Sequence, residues 1–563
     1  MKNICRKTLA MMMSAGILSG ALIISQPPEK KMVNAAISKQ TLMYGVKPLT
    51  SGVNSDNAAT VYMGNYDAPI SWRVIGYNGT QVSSKSNAGC LTLLSSKAIG
   101  KAGPFNSQLS RGNSYSGSAL QTRLNDLFSN TSYFSSLEQA AVAGKTLVTS
   151  TFSSVEYPDG VAGTKVTNAK LWPLSTKESS YLNEKIRDID VDWWLCSPGD
   201  SNSSATYVGD DGNYHFFGDT VTKNKYSRPA MNVKEEEIFL TTANGLKSNS
   251  VSSVSKMTKI TNATTNEWKL TLYDDSRKDF RVSCYDEREV DAGGAVMIDY
   301  NGAKSGSSEF VSVIVADMHG EPLYYGHIAN NSTSGSARFV FPRDLQTGDY
   351  YLKVFSEQCN GDKKTDYSSV QRSLTFHVNN PGTVRNIKCT PAGRNKVKLS
   401  WDAVPTAEGY LIYAQKDGVY GFVGMTTQGT TYTDVNALDT DYNYYWVFAF
   451  ITDSQGRRIP GKCQMYAYGK GVCAAVTGLR ASSGSGYVKL TWNQVADADG
   501  YLIYGIRPGG EYGYIGMTTT GTSFTDRSAS ASAYTFYWVY PYHLNNGKMI
   551  PGGTANYTYG KSL

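Results

Sequence analysis

The chain has 563 residues, of which 40% are hydrophobic, 12% are aromatic and 18% are charged. At roughly 100 to 200 residues per domain, this length predicts three to five domains, and the apolar content excludes bulk disorder. The 54 glycines and 39 tyrosines favour short strands and turns over long helices. We therefore expect a multidomain, mainly β protein.

Residues 1–35 have the pattern of a signal peptide. Lys2, Arg6 and Lys7 precede an apolar run over residues 9–24, and the segment ends in small residues at 33–35. The formal charge of +7 falls to about +3 without the five basic residues and one acidic residue of this segment, which excludes a nucleic-acid footprint. No later apolar stretch is long enough to cross a membrane. The sequence predicts a secreted, extracellular protein, free or associated with the cell surface, with no membrane partner after cleavage.

A repeat of about 91 residues fills the C-terminal third. Segments 397–401 and 409–413 recur as 488–492 and 500–504. Both copies alternate apolar and polar residues between Gly, Asp and Asn turns, which predicts antiparallel β-sandwiches over residues 380–471 and 472–563.

These copies resemble fibronectin type III domains. The resemblance rests on an early strand that ends in Trp401 or Trp492, and on the Gly-Tyr-Leu-Ile-Tyr strand that follows it. It also rests on Leu438, six residues before Tyr444, where the family places a tyrosine corner. The second copy has Phe536 at that position, so it lacks the corner hydroxyl. Both copies are expected to fold independently around their tryptophans.

Residues 246–379 keep the strand rhythm without the repeat, which predicts an immunoglobulin-like β-sandwich. His319 and His327 flank an expected hairpin, and a shared metal role for this pair is disfavoured. The expected strands are residues 268–273, 310–315, 337–341, 350–355 and 373–378.

Residues 37–245 mix helical and strand signals and are predicted to form an α+β module. Leu120, Leu124 and Phe128 recur with helical spacing. The capping-box patterns 135–138 and 175–178 begin two further helices.

Six motifs follow one another in this module, at residues 72–75, 120–128, 174–175, 193–199, 205–208 and 228–230. Their order resembles the DUF6273 family and, through it, the C-type-lectin-like fold. The family pattern favours arginine where this chain has Cys196, so a site that uses that guanidinium is in doubt here.

The resemblance to lectin-type folds directs attention to acidic loops. Asp188, Asp190 and Asp192 alternate, so on an extended segment all three carboxylates would share one face and could hold calcium. A solvated strand edge is the alternative. The turn with Asp210 and Asp211 adds further carboxylates, which we assign to ligand binding. No other cofactor is expected.

Two groups of aromatic residues are candidates for ligand contact. Trp193 and Trp194 would point to opposite faces of a strand, and an exposed Trp194 could stack on a sugar. In each C-terminal sandwich, one strand carries aromatic residues at both its odd and its even positions, so aromatic rings lie on both of its faces. We assign Tyr445 and Tyr537 to ligand binding. The alternative is that such rings only fill the cores.

Seven cysteines follow the predicted cleavage site. Within-domain disulfides could join Cys90 with Cys196 and Cys284 with Cys359, although buried free thiols are favoured. Cys196, with His215 as base, is the best nucleophile candidate, but the sequence supplies no third group to orient that base.

The sequence therefore favours a non-catalytic, adhesion-type binding protein. Its lectin-like module would recognise an extracellular glycan, a protein or a cell-wall polymer, with the sandwiches as spacers. The family resemblance points to a Gram-positive bacterium. The alternative is an extracellular hydrolase or modifying enzyme with accessory fibronectin type III modules. A passive surface layer is a third hypothesis.

Overall fold

A computed structural model describes residues 33–34, 36–38, 59–77, 89–148, 165–243, 257–260, 266–286, 288–453, 455–553 and 556–563. Most of the predicted signal peptide, residues 1–32 and 35, lies outside the described residues. Strand β1 (Val33–Asn34) and strand β2 (Ala36–Ser38) lie on either side of the expected cleavage point. No helix in the described part of the chain has the length and apolarity needed to cross a membrane.

The described residues of the N-terminal module form four α-helices, and the capping boxes at Ser135 and Ser175 are both formed, which confirms these helix starts. The helices are α1 (Ala119–Ser129), α2 (Ser136–Ala141), α3 (Thr176–Ser180) and α4 (Glu184–Arg187). The strands are β3 (Thr60–Tyr66), β4 (Ala68–Tyr77), β5 (Cys90–Ser95), β6 (Gly103–Pro104), β7 (Val142–Ala143), β8 (Lys145–Val148), β9 (Lys165–Ala169), β10 (Trp172–Pro173), β11 (Trp193–Pro198), β12 (Ser204–Val208), β13 (Tyr214–Thr220), β14 (Asn224–Lys225), β15 (Pro229–Lys234) and β16 (Ile238–Ala243).

The central sandwich contains the strands predicted from the sequence. They are β17 (Met257–Lys259), β18 (Glu267–Tyr273), β19 (Arg281–Cys284), β20 (Glu289–Asp291), β21 (Ala295–Asn301), β22 (Glu309–Ala316), β23 (Pro322–Asn330), β24 (Ser334–Val340), β25 (Gly348–Gln358), β26 (Asp366–Ser368) and β27 (Gln371–Asn379). A four-stranded sheet, β1-β19-β21-β24, and the strands around β22 and β25 enclose one apolar core.

The N-terminal module and the central sandwich share one large sheet, in the order β10-β15-β5-β4-β3-β18-β26-β25-β22-β23-β17. Strand β18 pairs in parallel with β3 on one side and with β26 on the other. Its Trp268, Leu270 and Leu272 join the core of the N-terminal module. The hydrogen-bonded sheet thus continues past the boundary expected near residue 245, and these two regions are physically coupled.

Buried polar contacts reinforce this junction. Glu138 of α2 accepts hydrogen bonds from the Gly64 amide at 2.9 Å and from Thr365 Oγ1 at 2.8 Å. Lys269 and Asp366 form a fully buried ion pair at 2.9 Å. Because buried charges are costly without partners, this geometry favours a single relative placement of the two regions.

The two C-terminal copies are β-sandwiches with matching topology. Each packs a three-stranded sheet, β28-β29-β32 or β36-β37-β40, on a five-stranded one. The first copy contains β28 (Lys388–Gly393), β29 (Lys396–Ser400), β30 (Gly409–Lys416), β31 (Val419–Thr426), β32 (Thr431–Asp434), β33 (Asn443–Thr452), β34 (Arg458–Pro460) and β35 (Ala467–Gly469). The second contains β36 (Arg480–Gly484), β37 (Tyr487–Thr491), β38 (Gly500–Ile506), β39 (Tyr512–Thr518), β40 (Ser523–Asp526), β41 (Thr535–Asn545), β42 (Lys548–Pro551) and β43 (Thr558–Gly560).

Each copy has its own core, built around Trp401 or Trp492. Both tryptophans are only 5% exposed, which confirms the expectation that they are buried. Close packing between the sheets also explains a repeated glycine: a Cβ atom on Gly424 would lie 2.2 Å from the Tyr432 hydroxyl, and one on Gly516 would lie 2.5 Å from Phe524.

Candidate binding surface

The tryptophan pair of the N-terminal module is buried, so the expected exposure of Trp194 is wrong. Trp193 and Trp194 are both 0% exposed, and their indole nitrogens donate to the Arg187 and Gly103 carbonyls at 3.1 and 3.0 Å. Trp194 also makes an edge contact with Phe105. Because helices and loops cover both faces of β11, neither ring is available to a ligand.

The family motif at residues 228–230 is structural as well. Arg228 is buried and donates to the carbonyl groups of Ser95, Ile186 and Arg187. Burial lowers the pKa of this guanidinium to about 9. The arginine therefore holds three segments together rather than facing a ligand.

The three alternating aspartates do not form the expected calcium site. Asp188 ends α4, and Asp190 has a positive φ of 62°, so the segment is not an extended strand and the shared-face argument fails. Asp192 instead forms an ion pair with Lys225 at 2.7 Å. Among the described residues, the three carboxylates do not converge within ligand distance of one ion.

The acidic turn lies beside this ion pair. The Asp210 amide donates to Asp192 at 3.1 Å, while Asp211 accepts from Asn213, and these hydrogen bonds lower the pKa of Asp211. Burial alone would lower the pKa of Lys225, but the carboxylates of Asp192 and Asp219 raise it. Asp210 and Asp211 are exposed, as a ligand site requires, but the Asp211 carboxylate is already hydrogen-bonded within the turn.

In the C-terminal copies, Tyr445 and Tyr537 are 0% exposed, so their assignment to an outward face is wrong. Their hydroxyls donate to the buried carboxylates of Asp434 and Asp526 at 2.7 and 2.9 Å. The expected tyrosine corner at Tyr444 is also wrong, because that ring is 37% exposed.

Asn443 makes the hydrogen bonds that the tyrosine corner was expected to make before β33. The side chain of Asn443 accepts from the Leu438 amide at 2.8 Å and donates to the Leu438 carbonyl at 2.9 Å. Asn443 therefore anchors the start of β33 in place of a tyrosine hydroxyl.

Over residues 444–448 of β33 and 536–540 of β41, the alternate side chains on the other side of each strand face outward and are aromatic. On β33, Tyr444 is exposed and Trp446 is half-buried; on β41, Phe536 and Trp538 take the same places. Rings from neighbouring strands complete what we call the aromatic face of each copy. The first face comprises Tyr413, Tyr420, Phe422, Tyr442, Tyr444, Trp446, Phe448, Tyr466 and Tyr468; the second comprises Tyr504, Tyr512, Tyr514, Tyr534, Phe536, Trp538, Tyr540, Tyr557 and Tyr559.

The two aromatic faces have the same geometry. Tyr420 contacts Trp446 at 5.2 Å and 70°, and Tyr512 contacts Trp538 at 5.3 Å and 71°. Each tryptophan also meets a second ring at 5.6 Å, with interplanar angles of 46° in the first copy and 44° in the second. The stacked pair at the far edge is separated by 5.5 Å in both copies. The two surfaces are copies not only in sequence but in ring placement.

Each aromatic face has a lysine beside a tyrosine at its edge, at equivalent positions in the two copies. Lys470 Nζ lies 4.7 Å from the Tyr442 ring centre, and Lys561 Nζ lies 5.6 Å from that of Tyr534. Cation–π contacts of this kind orient the rim rings. The faces differ mainly in hydroxyl content: Tyr540 replaces Phe448 and shares a hydrogen bond of 2.9 Å with Tyr512.

The cysteines are free, and the candidate thiol site does not form. Cys90, Cys196, Cys284 and Cys359 are buried free thiols, which confirms the favoured expectation, and neither of the two candidate disulfides is present. Cys196 is packed into the apolar core, whereas His215 is exposed and stacks on Tyr207 at 4.2 Å. The structure therefore separates the expected nucleophile and base into different environments.

A cysteine, a histidine and an aspartate do come together between the C-terminal copies. His543 Nδ1 lies 3.7 Å from Cys473 Sγ, and His543 Nε2 lies 2.8 Å from Asp439 Oδ2. The order matches that of thiol enzymes, but Cys473 and His543 are 0% exposed. Burial also raises the pKa of Cys473 to about 11, which disfavours the thiolate. The group is better described as a polar contact that joins the two copies.

Comparisons with known proteins give a family match and structural similarities. Residues 91–235 match the family described as a domain of unknown function, DUF6273. No curated protein matches the chain. The chain is similar to an Fn3-like protein from Clostridium thermocellum, at 24% identity over 16% of this chain and 94% of that chain, with a TM-score of 0.14. It is also similar to the FN1–FN3 domains of chicken CNTN1, at 12% identity over 50% of this chain and 97% of that chain, with a TM-score of 0.18.

Proposed function

We propose that this protein is a non-catalytic, extracellular binding protein that attaches to a polymeric glycan through its two aromatic faces. The observation that carries the proposal is the duplication of one outward-facing ring arrangement in both C-terminal copies. Export through the predicted signal peptide, a C-type-lectin-like relation for the N-terminal module and a place at the cell surface belong to the same proposal.

Exposure of so many large rings needs a functional reason. Exposed apolar patches on soluble domains mark interaction sites, and these rings are rigid and amphipathic. Tyr468, at 58% exposure, and Tyr514, at 55%, could both have been polar without loss to the core. Selection for contact explains their retention better than packing does.

A sugar polymer is the occupant that this chemistry favours. Pyranose rings present C–H groups on their faces and hydroxyls at their edges, which match aromatic planes and tyrosine hydroxyls respectively. The faces are built from tyrosine, tryptophan and phenylalanine, which offer flat ring planes, with tyrosine hydroxyls beside them. Two equal sites on one chain also suit a ligand that repeats, because the second binding event becomes intramolecular.

The N-terminal module contributes differently in this proposal. With Trp194 buried, its exposed aromatic material is limited to residues such as Phe216 and Phe217 on β13, at 47% and 78% exposure. We assign it a separate recognition or display role, with attachment carried by the sandwiches. The roles of spacer and binder are therefore reversed relative to the expectation from sequence.

The test is co-sedimentation of the full chain with insoluble polysaccharides, using peptidoglycan, chitin, cellulose and xylan in parallel. We expect retention on at least one polymer, weakened about 10- to 100-fold by Trp446→Ala or Trp538→Ala and abolished by the double variant. Phe217→Ala is the matched control, because it removes an exposed ring outside both faces. Equal retention of wild type and double variant would refute the proposal, and so would failure to bind any polymer.

The enzyme alternative makes a different prediction. Turnover of any retained polymer that Cys196→Ala or Cys473→Ala abolished, in a variant that still folds, would replace the binding proposal with a catalytic one. We expect no such turnover, because both thiols are buried.

A further inference from the structure

A second group of chemically active side chains lies at the junction between the central sandwich and the N-terminal module. Ser312, His327 and Glu357 belong to the neighbouring strands β22, β23 and β25, and Cys359 follows the last of these directly. Within the described residues, donor atoms of His327, Glu357 and Cys359 all lie within 4.8 Å of one another. The sequence did not indicate this set, because its members are distributed over three strands.

The register of the strands explains the convergence. Ser312 pairs directly with His327, and side chains two residues apart on a strand share a face. The set therefore lies on the same face as Ile314, Tyr325 and Phe355, which form an apolar cluster with Phe239 of the N-terminal module. The exposed fractions of His327, Glu357 and Cys359 are 5%, 0% and 3%.

Hydrogen bonds fix the protonation of the histidine. Ser312 Oγ donates its only hydroxyl proton to Glu357 Oε2 at 2.6 Å. The same oxygen therefore accepts a hydrogen bond from His327 Nδ1, which lies 2.7 Å away. A neutral His327 with its proton on Nδ1 carries its lone pair on Nε2. Metal-ligating histidines are typically held in this way, by a second group on the other ring nitrogen.

Tyr325 holds the other two donors. Its hydroxyl donates to Glu357 Oε2 at 2.6 Å and lies 3.9 Å from Cys359 Sγ. The carboxylate and the thiol are therefore oriented before any ligand arrives.

We propose that His327, Glu357 and Cys359 form a structural zinc site. One imidazole, one thiolate and one carboxylate are a donor set that suits Zn²⁺ and does not suit Ca²⁺ or Mg²⁺, which prefer oxygen alone. Tetrahedral Zn²⁺ places its donors about 3.3 to 3.8 Å apart, so donors that lie within 4.8 Å of one another must close by at most about 1.5 Å. Binding releases the Cys359 proton to solvent and leaves the zinc oxidation state unchanged.

A metal at this site would cross-link two strands of the shared sheet. Its ligands come from β23 and from β25 with the residue after it, and these strands lie on either side of β22. Three protein donors leave one position of tetrahedral Zn²⁺ to a further ligand such as water. Because all three donors are buried and closed to a substrate, we assign the site a structural role. A metal here would resist separation of β23 from β25 in the central sandwich.

The experiment uses the full chain, stripped of metal with chelator and titrated with Co²⁺ and then Zn²⁺. We expect one equivalent of Co²⁺ with a near-ultraviolet thiolate-to-cobalt band, displacement by Zn²⁺, and a rise in melting temperature with either ion. Cys359→Ser should remove the near-ultraviolet band. Cys284→Ser is the matched control, because it alters another buried thiol outside the cluster.

Two more conservative variants distinguish a loss of metal binding from a failure to fold. Glu357→Gln keeps the shape and the acceptor oxygen but removes the charge, and Ser312→Ala removes only the orienting hydroxyl. We expect each folded variant to bind Co²⁺ about 10- to 100-fold more weakly than wild type. No cobalt uptake by wild type, or the same thiolate band in Cys359→Ser as in Cys284→Ser, would overturn the proposal.

Discussion

The N-terminal module and the C-terminal copies use the same residue types for opposite purposes. Trp193 and Trp194 are adjacent in sequence and both wholly buried, because α-helices and loops cover both faces of their strand. Trp446 and Trp538 lie on sheets with only one covered face, so alternate rings of their strands point to solvent. What differs is not aromatic content but whether a second layer packs on the sheet.

The largest expected effect separates the two kinds of tryptophan by stability. Trp194→Ala should destabilise the N-terminal module by about 3 to 5 kcal/mol, because it empties a buried site and leaves the Gly103 carbonyl without its indole donor. Urea unfolding followed by tryptophan fluorescence measures the change. A loss below about 1 kcal/mol would mean that the ring is not packed as described.

Tyr445→Phe should have the next largest effect, about 2 to 3 kcal/mol. The change removes only a hydroxyl, but it deprives the buried Asp434 carboxylate of a charged hydrogen bond. Tyr444→Phe changes the preceding residue, on the exposed face of the same strand. It is the matched control and should leave the free energy of unfolding nearly unchanged. Equal effects at the two positions would contradict the assignment of the inner and outer faces.

The contact between the copies should respond to pH. Burial alone would raise the pKa of Asp439, but hydrogen bonds from His543 and Asn545 and the charge of His543 hold it below its usual value. A lowered folded-state pKa stabilises the protein above the unfolded-state pKa of about 3.9, and that stability is lost as the pH falls further.

Asp439→Asn should therefore cost about 1 to 2 kcal/mol at pH 7 and flatten the fall in stability below about pH 4. Calorimetry of wild type and variant over pH 2 to 7 checks this. Parallel pH profiles for the two proteins would remove Asp439 as a source of the dependence.

The smallest expected stability effect belongs to the proposed binding residues. Trp446→Ala should cost less than about 1 kcal/mol, because the ring packs on other surface rings rather than in the core. Thermal unfolding monitored beside polymer co-sedimentation would show function lost with stability kept. A destabilisation as large as that of Trp194→Ala would make the aromatic faces structural.

Much of the architecture follows from local sequence signals. The repeat, the buried Trp401 and Trp492, the central strands and the helices begun at Ser135 and Ser175 all depend on short-range periodicity or capping chemistry. Such signals are complete within a few residues, so a sequence carries them without reference to the rest of the fold.

The candidate sites depended on contacts that no short segment contains. The period-2 alternation showed that every second residue of β33 faces inward. Which of Tyr444 and Tyr445 is the inward residue was decided by the hydrogen bond from Tyr445 to Asp434 on β32. The calcium prediction failed because the turn at Asp190 breaks the extended geometry that it assumed.

The sequence by itself determined the repeat, the strand segments and the burial of Trp401 and Trp492, because apolar alternation and repeated motifs are local properties of the chain. Only the tertiary structure decided which aromatic rings are exposed, and that β18 joins the N-terminal module to the central sandwich. Only the tertiary structure brings His327 to Glu357 and Cys359. The physical reason is that exposure and convergence are set by strand register and by which layer covers each face, and both are interactions between segments distant in sequence.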